Sequence, residues 1–192
     1  MADASPYRVD PGGFLCAWPD LVDPNFFHRV LFLCQHTDAG AYGLVLNDPL
    51  PVTTRDLMPS HPILGRLDFP VFKGGPVDEG TLQYLHRIPR ELPGAVQITD
   101  EVWIGGDFDA LARYLERSPE RALGEVRLFL GYSGWSDGQL DAELQGGSWV
   151  PAACGADEVF SDDPEGAWHR VLRGLGELGQ GLADLPPDPE WN

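Results

Sequence analysis

The chain has 192 residues, 43% hydrophobic and 22% charged, enough for one globular domain with a substantial core. Thirty acidic against thirteen basic residues give a net charge of −17 and a sequence pI near 4.4. The basic residues, all arginine except Lys73, are scattered and form no phosphate-binding stripe, which excludes direct nucleic-acid binding and attachment to an anionic membrane surface as expected activities.

Three widely spaced cysteines (Cys16, Cys34, Cys154) without a CxxC pair predict reduced thiols rather than a disulfide framework. The opening "MADASPYRVDPGG" lacks a basic segment followed by an apolar one, and no apolar run reaches the ~18–20 residues of a membrane-spanning helix. A cytoplasmic protein is expected.

Along the chain, residues 1–13 read as a polar N-terminal extension, and "FLCAW" (Phe14–Trp18) as a first strand stopped by Pro19. Val30–Cys34 is apolar without interruption, the pattern of a strand buried on both faces. The segment "DAGAYG" predicts a turn into "LVLN", closing a hairpin. "TTRDLM" (Thr53–Met58) suits a short helix capped by Thr53. Strands follow at "FPVFKGG", "TLQYLHR", "AVQIT" and "VWIGG". In Asp107–Arg117, Phe108, Leu111, Ala112 and Leu115 recur at helical spacing. Val126–Leu130 predicts a strand, Gly131–Gly134 a tight corner, and Ser136–Leu144 a short helix. "SWVPAA" (Ser148–Ala153) reads as a late strand. A helix is predicted over Pro164–Leu175, with Asp163 as N-cap and Pro164 at its first position. Residues 177–192 read as an acidic, Pro-rich, extended tail. Strands outnumber helices and their links are short, which predicts a single α+β domain with a mixed, largely antiparallel sheet.

The most suggestive stretch for chemistry is "LGYSGWSDGQLDAEL". A nucleophile elbow needs G-x-S-x-G, and Gly131 and Ser133 fit its first and third positions. Trp135 occupies the fifth, with Gly134 one place early, and only His169 follows as a base. Serine hydrolysis through Ser133 therefore stands as an alternative, while the residues suit a glycine corner better. Ser136 and Gln139 have capping-box spacing, and Leu140 and Leu144 would face inward. The acidic Asp137 and Asp141 discourage an anion at that helix start. His28, Cys34 and His36 share strand parity, but their spacing matches no zinc module, so no metal and no cofactor are expected. The glycine pairs in "KGGPV" and "IGGD" match no phosphate loop and read as strand ends.

Taken together, "FLCAWPDLVDPNFFHRVLFLCQH", "GAYGLVLNDPL", "GGPV…TLQYLHR", "GGDFDAL" and "FLGYSGWSDGQLDAEL…W" resemble the bacterial YqgE/AlgH family over Phe14 to Gly176. The resemblance implies a single-domain α+β fold with a complex, partly barrel-like sheet surrounded by helices, and no established enzymatic activity. Members are labelled transcriptional regulators, a name inherited from a link to alginate production, and their genes often neighbour one for a Holliday-junction resolvase-like protein. The family pattern has Asn-Arg-Pro where this chain has Asn47-Asp48-Pro49, and it accepts alanine in place of Ser133. The motifs nominate His36, Asn47, Gly74, Gly75, Tyr132, Ser133, Trp135 and Gln139 as a surface for an unidentified protein or small-molecule partner. A binding or regulatory protein without direct DNA contact is the expected function.

Overall fold

Residues 8–184 are described by a computed structural model. In chain order its first half contains β1 (Phe14–Ala17), β2 (Val30–Thr37), β3 (Gly40–Val45), β4 (Pro49–Thr53), α1 (Thr54–Leu57), β5 (Pro70–Lys73), β6 (Val77–His86), β7 (Val96–Gln97) and β8 (Trp103–Ile104). The second half contains α2 (Phe108–Arg117), α3 (Pro119–Ala122), β9 (Val126–Trp135), α4 (Gln139–Gln145), β10 (Trp149–Ala152), α5 (Ala156–Val159), α6 (Ala167–Arg173) and α7 (Glu177–Ala183). The strands form one half-barrel sheet in the order β10-β1-β2-β3-β9-β6-β8-β7, with β4 and β5 attached beside β9. Every pairing is antiparallel except β5 with β9.

Strand β9 is the hub, and it corrects the expected glycine corner. The strand runs on through Gly131–Gly134, kinked at Gly131, because Leu130 and Tyr132 pair with β6 and Ser133 and Gly134 with β3. One edge of β9 pairs with β6 along most of its length. The other edge pairs with β5 over Leu128–Leu130 and then with β3 over Ser133–Trp135. The sheet therefore branches at Gly131–Tyr132. Gly131 takes φ +68° there, and a Cβ on it would lie 2.6 Å from the Gly75 carbonyl oxygen.

Alternation along the strands sends side chains into three apolar clusters. Phe14, Cys16, Val30, Phe32 and Phe129 pack under Trp168, Val171 and Leu172 of α6. Leu15, Leu31, Leu33, Trp135 and Trp149 pack against Leu140 and Leu144 of α4. The predicted stripe of α2 places Leu111, Ala112 and Leu115 on Val71 and Leu128, while Asp107 caps its N-terminus by accepting from Ala110 N–H at 2.6 Å.

Other expectations shift locally. The β2–β3 turn is shorter than predicted, because Gly40–Tyr42 already pairs with Gln35–Thr37. Helix α6 starts at Ala167 rather than Pro164; Asp163 caps the preceding turn by accepting from Gly166 N–H at 3.1 Å. The Ser136–Gln139 box is half formed. The Gln139 side chain accepts from Ser136 N–H at 3.0 Å, but the Ser136 hydroxyl bonds the same Gln139 oxygen instead of the backbone. Residues Glu177–Ala183 form α7 rather than extended tail, with Leu182 and Ala183 packed on the α6 cluster. Residues 1–7 and 185–192, parts of the predicted extension and tail, lie outside the described residues. Among those described, no helix is long and apolar enough to cross a membrane.

Candidate functional site

The motif-nominated residues occupy three places rather than one surface. At the first, Gly74, Gly75, Tyr132 and Ser133 meet where the sheet branches. The Gly74 carbonyl accepts from Val45 N–H at 2.9 Å and from the Ser133 hydroxyl at 3.2 Å, while Gly74 N–H donates to Leu130. Tyr132 packs its ring 5.1 Å from that of Tyr42. Ser133 is fully buried, so its hydroxyl acts as a staple between strands and is closed to a substrate. Native protein is expected to give no adduct at Ser133 with a fluorophosphonate probe, read by mass spectrometry. Ser133→Ala should cost about 0.5–1.5 kcal/mol, the net worth of one hydrogen bond; an adduct at Ser133 would restore the hydrolase alternative.

At the second place, around α4, the Trp135 and Trp149 indoles both donate to Glu143, at 2.8 and 2.7 Å, and Gln139 donates to the other Glu143 oxygen at 2.9 Å. His36 is buried beside them, with Nδ1 2.8 Å from the Val9 carbonyl and Nε2 3.7 Å from Asp141. His36 does not share a face with Cys34, as parity had suggested. A β-bulge between Leu33 and Gln35 moves it to the opposite face, and His28 lies before the strand begins. Among the described residues no three His, Cys, Asp or Glu side chains are placed to hold a metal. Burial pushes the Cys16 thiol up to about 12 and raises Cys34 as well, which suits core residues rather than nucleophiles.

The third place, Asn47, lies about 20 Å from His36 along β2, at the strand rise of ~3.3 Å per residue. Asn47 is 3% exposed; its Oδ1 accepts from Val30 N–H at 2.8 Å and its Nδ2 donates to the His28 carbonyl at 2.9 Å. This clamp holds His28 at φ +54°, a left-handed backbone uncommon for a residue with a side chain. The His28 ring is sandwiched between Phe27 and Trp168, with centroids 3.9 and 3.8 Å away. Burial, followed by the neighbouring His169 and Arg29, holds its imidazole below the usual histidine pKa. Asp48 accepts from Arg29 at 2.8 Å, an ion pair within the chain.

Asn47 opens onto a longer feature that motif reasoning missed. A polar cleft of about 360 Å³ is lined by His28, Arg29, Asn47, Asp48, Trp168 and His169, and shares Pro49 and Glu165 with an apolar cleft of about 670 Å³. The apolar cleft in turn shares Phe69, Glu120 and Leu123 with a third, of about 160 Å³. The three clefts adjoin through these shared residues along a line past Pro49 of β4 and Leu123, hereafter the groove. Leu123 is 52% exposed, one of the few large apolar side chains left in solvent among the described residues.

Arg127 lies in the groove floor, 5% exposed. It donates to the Leu46 carbonyl at 3.2 Å and to that of Ser161, and it lies 4.5 Å over the Phe72 ring. No carboxylate pairs with it among the described residues, and burial pulls its pKa down to about 10. Arg170 fixes the adjoining wall through Glu158, Ser161 and Asp163. The groove is thus a built feature, pinned by two arginines. The only sequence signal for it was an arginine inside the otherwise apolar strand "VRLFL".

The family profile for AlgH-like proteins matches residues 14–178. The chain belongs to this family. It is 37% identical over 184 residues to a UPF0301 protein of Chlorobaculum tepidum, covering 96% of both chains. With a UPF0301 protein of Bacteroides fragilis it shares 35% identity over 182 residues, 94% of this chain and 90% of that one. The solution structure of AlgH from Pseudomonas aeruginosa superposes with TM-score 0.71 at 26% identity, over 97% and 98% of the two chains. A crystal structure of a Corynebacterium diphtheriae protein gives TM-score 0.74 at 19% identity over 93% of each, a likeness of fold. The AlgH-like "GYSGW" and "GGPV" motifs coincide with the sheet branch, and "NDP" with the edge of the groove.

Proposed function

We propose that this AlgH-like protein is a non-enzymatic binding protein, and that the groove past Pro49 receives its partner. The observation that carries this reading is the adjacency of the three clefts through shared lining residues, with an exposed Leu123, a floor braced by Arg127 and a wall fixed by Arg170. Ligand sites are concave and largely apolar, with a few placed polar groups, and the groove fits that description. The strained His28 at one end adds to it, since such backbone persists where surrounding contacts enforce it. A regulatory role would run through a bound partner, because the charge of −17 opposes contact with DNA.

The test is photo-crosslinking in cells from a photoreactive residue placed at position 123, compared with positions 22 and 96, where Val22 is 82% and Val96 64% exposed. Discrete adducts from position 123 alone support the groove. Adducts of equal yield from all three positions, or none from 123, overturn it.

A further inference from the structure

We infer that the groove's occupant is a segment of another protein carrying large apolar side chains flanked by lysine or arginine. This rests on the reading of the groove as the binding surface. Leu123, 52% exposed, together with the edges of the largely buried Phe69, Phe72 and Phe160, offers a small apolar bed. Around it stand the exposed carboxylates of Glu120, Asp162 and Glu165, whose neighbouring arginines are committed elsewhere: Arg121 to Glu125, and Arg170 to Glu158 and Asp163. The rest of a chain of net charge −17 adds to this field. Unpaired acids around an apolar patch attract a cationic, amphipathic partner and repel an anionic one.

Arg127 does not reverse that preference. Two of its N–H groups are spent on main-chain carbonyls and one guanidinium face is covered by Phe72, so it braces the floor. Strand addition is also disfavoured. β4 borders the groove and among the described residues pairs only with β5, yet Pro49 and Pro51 remove backbone donors from this edge strand. Recognition therefore runs through side chains, with apolar anchors in the bed and basic groups on the rim.

The test is titration of the isotope-labelled full chain with three synthetic twelve-residue peptides, built from Leu and Phe with Lys, with Glu, or with Ser. Two charge-reversed proteins are compared, Glu120→Lys/Asp162→Lys/Glu165→Lys in the groove and Asp20→Lys/Asp100→Lys/Asp137→Lys outside it. All six positions are exposed, and the amide spectrum confirms that each variant is folded. The Lys peptide is expected to shift groove resonances around Leu123 and Phe160. The groove reversal should weaken its binding at least tenfold and the outside reversal less than threefold, with no binding of the Glu peptide. Equal weakening by both reversals, or preference for the Glu peptide, overturns the inference. Groove binding of the Ser peptide that ignores both reversals overturns the inferred chemistry but leaves the groove as the site. If no peptide shifts groove resonances, both fall.

Discussion

Gly75→Ala is expected to destabilise the fold by about 4 kcal/mol or more, the range reserved for severe core disruption. Gly75 is buried at φ +153°, and a Cβ there would fall on the carbonyl group of Tyr132 and the amide nitrogen of Ser133. Those atoms belong to β9 at the point where it exchanges β5 for β3, so neither side can retreat without opening the sheet. Gly74 is in the same position, its added Cβ meeting the Gly131 carbonyl and, at 2.8 Å, the Leu44 side chain. Gly80 is the control: it is exposed, with nothing within 4 Å of an added Cβ, and Gly80→Ala should stay within about 0.5 kcal/mol of the parent. Denaturant titration with an unchanged slope reads both. A cost below about 1 kcal/mol for Gly75→Ala would show that the branch is not rigid.

Asn47→Ala is the second large effect, about 2–5 kcal/mol. The substitution strips the buried Val30 N–H and the part-buried His28 carbonyl of their partners at once. Each orphaned group costs about 1–3 kcal/mol. For a chain of this size the melting temperature should fall by roughly 5–15 °C. Asp48→Ala next to it removes one partly buried ion pair with Arg29 and should cost about 1 kcal/mol. Asn47 also fixes His28 against Trp168, so its loss should change the fluorescence of that tryptophan before global unfolding, and Asp48→Ala should not. Equal effects of the two substitutions would contradict the clamp.

Much of this fold was legible in the residues. The periodicity of Phe108–Leu115, the apolar run of Val30–Cys34 and the Thr53 cap were local signals, and each formed the expected element. What misled was partner-dependent. Glycines normally break strands, yet Gly131–Gly134 continues β9 because β3 and β6 hold it from both sides, and no local pattern encodes those distant partners. The bulge that turns His36 away from Cys34 arises likewise from pairing with β3. A Pro-rich composition suggested extended chain near the end, and α7 forms because Leu182 and Ala183 find apolar surface on the α6 cluster.

The candidate site was less legible than the fold. Four of the nominated residues, Gly74, Gly75, Tyr132 and Ser133, lie at the sheet branch, where close backbone approach demands small or inward-facing residues, so they mark architecture more than ligand contact. The groove is assembled from Phe69, Phe72, Leu123, Arg127 and Phe160, which are far apart in sequence and individually ordinary. Of the eight nominated residues, Asn47 alone lines the groove among the described residues, holding the loop at its end. An arginine buried in a strand signals a tertiary hydrogen-bond network, but its carbonyl partners, Leu46 and Ser161, could be found only in three dimensions.

The claim that this AlgH-like protein works through its groove is tested most directly by the crosslinking yield at position 123 relative to positions 22 and 96. Discrete adducts are expected from 123, severalfold above the two controls although Val22 and Val96 are more exposed, and they should disappear when Glu120, Asp162 and Glu165 are reversed to lysine. Equal yields at all three positions would mean that exposure alone governs contact, and would contradict it.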